Sequence, residues 1–171
     1  MAHYTPRELL QYMRDQGVEY RLFEHPPLHT VEDALRERGD LGGSYVKNLY
    51  LRDRGGQKAL ITCLSRRDVH LQRLRRKIGL RRLSFASPAQ LLADLGVYPG
   101  SVSPLALINA EPSTLAFYAD LALRDELLTN LHPLSNEMTV QLPFTSWVEL
   151  CERWGFPVRW INFDQLQEEE I

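Results

Sequence analysis

The sequence predicts an α+β fold: a mixed, largely antiparallel sheet or partial barrel flanked by helices, within a single domain. Apolar segments of period two occur in pairs joined by short turns, which is typical of hairpins. Helix-capping sequences lie between these segments, and no linker or internal repeat divides the 171 residues. A chain of this length, 44% hydrophobic and 25% charged, is long enough to bury a substantial core.

The first elements are a helix, a strand and a second, short helix. Thr5-Pro6-Arg7-Glu8 forms a capping box with proline in the first turn, and it predicts a helix that ends at Gly17. Residues 18–24 alternate as a strand does. Thr30 then caps a short helix that ends at Gly39.

A hairpin follows these elements. Residues 45–51 and 58–64 predict two strands joined by a turn at Arg54-Gly55-Gly56. Alternation places Lys47 and Asn48 on opposite faces of the first strand. A lysine in so apolar a strand either extends its ammonium group to water or holds it at the mouth of a pocket, where it would bind an anion.

The central region predicts two helices and then a loop of small residues. The first helix follows Ser65 and ends at Gly79, and a second capping box at Ser87 opens a helix that ends at Gly96. The loop of residues 100–104 leads into the apolar residues 105–108, which predict a buried strand. Because glycine permits close approach to the backbone, amides of this loop would line a pocket; an ordinary helix-to-strand connection has the same pattern.

The C-terminal part predicts three more strands, over residues 114–118, 127–132 and 138–142. Thr145 or Ser146 begins a last helix, which Gly155 ends. Residues 158–163 predict a final strand, and residues 165–171 a loose acidic tail.

The net charge of −2 conceals an uneven distribution. Residues 66–82, the basic segment, carry eight basic residues against the single acid Asp68, a local balance of +7. Such a segment attracts a polyanion, although a basic run is equally typical of a solvated helix face. The candidate phosphate contacts in it are Arg73, Arg75, Arg76 and Lys77.

Several classes of protein are disfavoured by the sequence. No apolar run approaches the ~20 residues of a membrane-spanning helix, and the N-terminus lacks the regions of a signal peptide. Cys63 and Cys151 do not have the spacing of a disulfide scaffold or a zinc site. Nucleotide-binding glycine loops, zincin motifs and α/β-hydrolase motifs are absent. We therefore expect a reduced cytoplasmic protein without membrane contact, metal or cofactor.

Six short pieces of the sequence have a common resemblance. They are His25-Pro26-Pro27 with His29-Thr30, Lys47-Asn48-Leu49, residues 79–86, residues 96–109, His132-Pro133-Leu134-Ser135-Asn136, and Thr139-Val140. In this order they resemble the bacterial prolyl-tRNA editing domains of the YbaK/ProX superfamily. Each piece alone is weak, but the six in order cover nearly the whole chain. The resemblance is greatest to the free-standing proteins that deacylate mischarged alanyl-tRNA(Pro).

The resemblance implies a hydrolase that edits alanyl-tRNA(Pro) in trans. Its partners would be the acceptor stem of tRNA(Pro) and, as a further candidate, prolyl-tRNA synthetase. Prolyl-tRNA synthetase needs a second, hydrolytic site that removes the wrong amino acid. A difference of a methylene or two between two amino acids provides only ~1–3 kcal/mol of discrimination at the first site. An aminoacyl ester is already activated, so a positioned water, helped by the terminal ribose hydroxyl, needs neither a metal nor a covalent nucleophile.

The resemblance also assigns roles to residues. Lys47 and Asn48 would hold the terminal adenosine and the ester, and His132 would position the substrate together with His29 and Thr30. The loop would shape a pocket that admits alanine and excludes proline by size; its residues are Gly100, Ser101, Val102, Ser103 and Pro104.

Three alternatives remain at this point. The first is a cysteinyl-tRNA(Pro) deacylase of the same fold, although cysteine-editing relatives often carry Gly-Gly and further polar residues in place of Gly100-Ser101-Val102-Ser103. The second is a non-catalytic module that binds tRNA or a synthetase, against which the intact Lys47, Asn48 and His132 argue. The third is an α+β domain whose six matches arise by chance.

Overall fold

An eight-stranded mixed sheet organises the fold. The computed structural model describes residues 2–168. The helices in that range are α1 (Pro6–Asp15), α2 (Val31–Glu37), α3 (Leu71–Ile78), α4 (Pro88–Leu95), α5 (Phe144–Arg153) and α6 (Phe163–Glu168), with 3₁₀ helices at Pro104–Asn109 and Leu121–Asp125. The strands are β1 (Arg21–Glu24), β2 (Ser44–Arg52), β3 (Lys58–Leu64), β4 (Ser84–Phe85), β5 (Leu115–Asp120), β6 (Leu128–Leu131), β7 (Met138–Pro143) and β8 (Arg159–Ile161). Within residues 2–168, every helix is too short or too polar to cross a membrane.

The sheet is open and mixed. Its strand order is β1-β7-β6-β2-β3-β5-β8, and β4 pairs with β2 outside this path. The pairs β1/β7, β6/β7, β2/β3 and β2/β4 are antiparallel, whereas β2/β6, β3/β5 and β5/β8 are parallel. The predicted α+β class and the hairpin of β2 and β3 are confirmed, and the sheet does not close into a barrel.

Both predicted capping boxes form. The hydroxyl of Thr5 accepts the backbone N–H of Glu8, whose carboxylate accepts the N–H of Thr5 at 2.8 Å. Ser87 and Gln90 make the same reciprocal pair at the start of α4. These bonds satisfy amide groups that have no partner inside the helix, so each helix begins where its sequence predicts.

Hydrophobic residues pack on both faces of the sheet. On one face, Tyr50 of β2 packs with side chains of α1, α4 and α5, among them the fully buried Trp147. On the other face, Leu51 packs with Leu74 of α3 and Phe163 of α6. Because neighbouring side chains of a strand point to opposite faces, β2 contributes to both cores.

The predicted strand over residues 105–108 is wrong. These residues lie in the 3₁₀ helix Pro104–Asn109, and Leu105 and Leu107 are fully buried there. The Ser103 hydroxyl accepts the N–H of Leu105 at 3.1 Å, and proline occupies the first turn. An apolar run reports burial, which a short helix and a buried strand share.

The predicted loose tail is also wrong over its first part. Residues 165–168 belong to α6, and Leu166 is buried against the core that contains Phe163. Burial of this leucine gives the segment a packed position that its acidic composition does not indicate. Residues 169–171 lie outside the described residues.

A buried ion pair joins the ends of β3 and β5. Asp120 is fully buried and Arg67 is 5% exposed. The arginine donates to both carboxylate oxygens, at 2.8 and 3.2 Å, and these bonds raise the pKa of Arg67. The carboxylate also accepts the N–H groups of Leu64 and Ala122. Arg67 also pairs with Asp164, whose side chain is largely exposed.

This geometry predicts unequal effects for the two carboxylates. Asp120→Ala leaves a buried guanidinium group without its main partner, so we expect the free energy of unfolding in urea to fall by about 3–5 kcal/mol. Asp164→Ala is the matched control and should destabilise far less, because Asp164 is largely exposed. Equal losses for the two variants would contradict this account of the ion pair.

Candidate active site

A cavity lies where two parallel strands stop pairing. β2 and β6 pair at only two positions, Ser44 with Thr129 and Tyr45 with Asn130. Both strands continue in the same direction beyond these pairs. A cavity of about 360 Å³ lies among the residues that follow the pairs and the neighbouring loops. Side chains from different parts of the sequence therefore converge on one space.

Five of the predicted site residues line this cavity. They are His29, Thr30, Asn48, Gly100 and His132. They come from four separate segments: the approach to α2, strand β2, the loop before the first 3₁₀ helix, and the chain after β6.

Asn48 presents hydrogen-bond donors to the cavity. Its Oδ1 atom accepts the hydroxyl of Thr62, its partner on β3, at 2.6 Å. Because an amide has one oxygen and one NH₂ group, this bond leaves the Nδ2 hydrogens for a ligand. The β2/β3 register thus decides how the amide is oriented.

His132 presents an acceptor. Its Nδ1 atom lies 2.8 Å from the carbonyl oxygen of Met138, and it must donate because a carbonyl only accepts. Burial is the main cause that lowers the pKa of His132, with smaller contributions from His25 and Arg38, while the Met138 bond opposes the shift. The neutral ring therefore offers Nε2 as an acceptor.

The small-residue loop has one residue at the cavity, and its other residues are buried or half-buried. Gly100 lines the cavity with a φ of 92°, a backbone conformation that favours glycine. Ser101, Ser103 and Pro104 are buried, and Val102 is half-buried against the larger core. Of the five loop residues, Gly100 therefore lines the cavity and the other four do not.

Lys47 is not placed with the other predicted residues. Its ammonium group donates to the backbone carbonyl of Arg67, on the face of β2 opposite Asn48. The sequence predicted that the two side chains point in opposite directions, and this is confirmed. The cavity lies on the Asn48 side.

Arg38 lines the cavity but was missed in the sequence. Its guanidinium carbon lies 4.8 Å from the centre of the Tyr45 ring, and its Nη1 atom is 3.4 Å from the Thr139 hydroxyl. A signal was available: Thr30, Ala34 and Arg38 recur at intervals of four and share one helix face. Arg36 and Glu37 precede it, and such a run of charges is also typical of a solvated helix end.

A second, larger cleft lies at the other end of β2. We call it the arginine cleft, since Arg52, Arg54, Arg75 and Arg82 line it together with Asp53 and Gln72; its volume is about 1070 Å³. Asp53 is engaged locally, because its carboxylate accepts backbone N–H groups of Gly55 and Gln57. Four arginines against one carboxylate leave the cleft strongly cationic.

The four predicted phosphate contacts divide between different positions on α3. Arg75 lines the arginine cleft. Arg73 donates to the carbonyl of Leu166 at 3.2 Å and so contacts the C-terminal helix. Arg76 and Lys77 are exposed on the surface.

Comparison with known proteins identifies the family. The sequence model of the aminoacyl-tRNA editing domain matches residues 25–150, which contain every residue that lines the cavity. The chain belongs to this family. As an aminoacyl-tRNA editing domain, it is a hydrolase of the ester bond between an amino acid and a tRNA.

Individual relatives agree with the family. The prolyl-tRNA editing protein ProX of Acetoanaerobium sticklandii is 34% identical over 74% of this chain and 78% of its own length. The prolyl-tRNA synthetase associated domain-containing protein 1 of Xenopus laevis is 30% identical over 96% of this chain and all of its own. A solved structure, a candidate trans-editing enzyme for prolyl-tRNA synthetase, has the same fold, with a TM-score of 0.72, 18% identity and coverage of 94% and 98%.

The neutral histidine gives a prediction about pH. In the folded protein, the pKa of His132 lies below its ordinary 6.5. As pH falls, His132 therefore binds a proton in the unfolded chain before it does so in the folded protein. Stability from this group should therefore decline as pH drops below about 6.5, and His132→Gln should remove that part of the decline. Imidazole ¹⁵N NMR and urea unfolding between about pH 7 and pH 5 measure both effects. A His132 midpoint at or above 6.5 would contradict the prediction.

Proposed function

We propose that this protein hydrolyses alanyl-tRNA(Pro) in trans and so removes alanine that prolyl-tRNA synthetase has attached in error. One observation carries the proposal: donors on Asn48, an acceptor on His132 and a glycine wall at Gly100 meet in one small cavity of an aminoacyl-tRNA editing domain. One relative is named as a prolyl-tRNA editing protein and another as a prolyl-tRNA synthetase associated domain-containing protein. We extend both the editing activity and the association with the synthetase to this chain.

The reaction needs two kinds of hydrogen-bonding group. Water attacks the ester carbonyl carbon and a new C–O bond forms. The bond to the ribose oxygen then breaks, and that oxygen takes up the proton that the attacking water loses. Donors of Asn48 stabilise the negative charge on the carbonyl oxygen. Nε2 of His132 accepts a hydrogen bond from the terminal ribose hydroxyl, which in turn orients the water.

The cavity wall provides the selectivity. Gly100 has no side chain, so a small amino acid fits beside its backbone, whereas a proline ring meets the apolar wall that includes Leu28 and Leu131. Steric rejection of a larger substrate follows from close packing rather than from a specific polar contact. Alanine and cysteine differ by one sulfur atom, and the assay below separates them.

Lys47 acts from the other face of β2 in this proposal. Its bond to the carbonyl of Arg67 holds the turn after β3, and Ser65 of that turn lines the cavity. We therefore treat Lys47 as a positioning residue and Asn48 as the group that touches the substrate.

The arginine cleft is proposed to contact acceptor-stem phosphates. β2 runs from the cavity at Asn48 to the cleft at Arg52, and four residues of strand span about 13 Å. That separation suits an RNA whose 3′ end enters the cavity while phosphates further along the acceptor stem lie near the arginines. In this proposal Arg75 contacts phosphate, as the sequence predicts, and so do Arg52, Arg54 and Arg82.

The substrate is tested by release of amino acid from alanyl-, cysteinyl- and prolyl-tRNA(Pro). We expect release of alanine, and a loss in kcat/KM of about 10²–10³ for Asn48→Ala, because it removes a donor to the developing oxyanion. His132→Ala should also reduce kcat/KM, whereas the exposed His70→Ala serves as its matched control. Release of cysteine alone would replace alanine as the substrate, and no release from any of the three would refute the proposed function.

The arginine cleft is tested by the salt dependence of tRNA binding. Arg52→Gln with Arg82→Gln should reduce the slope of log K against log salt concentration by roughly 1.4–1.8, since each phosphate contact contributes about 0.7–0.9. Arg21→Gln with Arg159→Gln removes the same charge from the two edge strands and should leave the slope unchanged. Identical slopes for the two double variants would place the RNA elsewhere.

A further inference from the structure

One permanently charged side chain is found among the described residues of the cavity. Of those lining residues, Arg38 alone is an arginine, lysine, aspartate or glutamate. Burial lowers the pKa of Arg38 below its ordinary value, but a guanidinium group remains charged throughout the physiological range. The site is therefore cationic, although most of its lining is apolar or neutral.

The guanidinium group has unused hydrogen-bonding capacity. Its Nε atom is buried without a partner, and its bond to the Thr139 hydroxyl is long, at 3.4 Å. Among the side chains that the structure describes, no carboxylate lies within ion-pair distance of it. By contrast, Arg36 on the same helix pairs with both Asp33 and Glu37. Asp40 attracts this cation, but from beyond contact distance. A partly buried cation without an anion in contact is destabilising, so an anionic ligand would stabilise Arg38.

The surroundings orient this cation. Its planar group lies against the ring of Tyr45. The Tyr45 hydroxyl donates to Asp40 at 2.8 Å and accepts the N–H of Leu41 at 2.6 Å, so the ring itself is held. An arginine fixed in this way can bind two oxygens of one phosphate without losing much side-chain freedom.

We propose that Arg38 binds the phosphodiester that joins the terminal adenosine to the rest of the tRNA. This inference rests on the proposed function. In the aminoacylated 3′ end, the carboxylate of the amino acid is esterified and its α-amino group is positive. The phosphodiesters are thus the only formal negative charges that the ligand brings to the cavity. Arg38 anchors the nucleotide and leaves the ester to Asn48 and His132.

The first test measures binding without any reaction. The ligands are AMP and adenosine, which differ by the 5′-phosphate, and calorimetry or NMR titration gives the affinities. We expect the wild-type protein to bind AMP at least tenfold more tightly than adenosine. Arg38→Met should abolish this preference while adenosine binding is kept, which also shows that the variant is folded. Arg36→Met removes one charge from the same helix and should keep the preference.

The second test compares two substrates. Against alanyl-tRNA(Pro), Arg38→Met should lose at least tenfold in kcat/KM, mainly through KM, and Arg38→Lys should recover part of the loss. Against the alanyl ester of adenosine, which has no phosphate, both variants should lose much less than they lose against alanyl-tRNA(Pro). Equal losses on the two substrates would place Arg38 at the ester and overturn the proposal, as would an AMP preference that survives Arg38→Met. A wild-type protein that hydrolyses neither ester refutes the proposed function, whereas the AMP comparison still decides the role of Arg38.

Discussion

The short parallel pairing of β2 with β6 is the constraint on which the site depends. Two paired positions join the two parts of the sheet, and buried amide side chains supply the bonds that the strands do not. Asn130 donates to the carbonyls of Gly42 and Ser44 at 2.8 and 3.1 Å, and Gln141 donates to that of Leu41 at 2.9 Å. Since buried carbonyls need partners, these amides hold residues 41–44 in place where the backbone ladder begins. The cavity lies at the other end of the ladder, among the residues that follow Tyr45 and Asn130.

The alternation of β2 separates the residue that lines the cavity from the residue that contacts the charged network on the other face. Asn48 faces the cavity, and Lys47 faces the side on which Arg67 and Asp120 form their buried ion pair. That pair ties the ends of two strands, and the turn beside it brings Ser65 to the cavity. The charged network on one face thus supports a mostly neutral site on the other face.

The electrostatics of the cavity follow from the same arrangement. Arg38 is one of the causes that lower the pKa of His132, so the cation and the neutral imidazole are coupled. A neutral ring suits a group that accepts a hydrogen bond beside an activated ester, and a fixed cation suits the phosphate of a nucleotide. Under the proposed function, the two groups would complement different parts of one aminoacylated end.

The sequence by itself determined the local features and the family resemblance. The capping boxes, the hairpin of β2 and β3, and the opposite directions of Lys47 and Asn48 depend on neighbouring residues and on strand geometry, and all three are confirmed. The tertiary structure alone decided which face of β2 carries the cavity, that residues 105–108 are helical, and that Arg38 enters the site. These outcomes depend on contacts between segments far apart in sequence. Periodicity describes which side chains share a face, but packing against distant elements decides what that face meets.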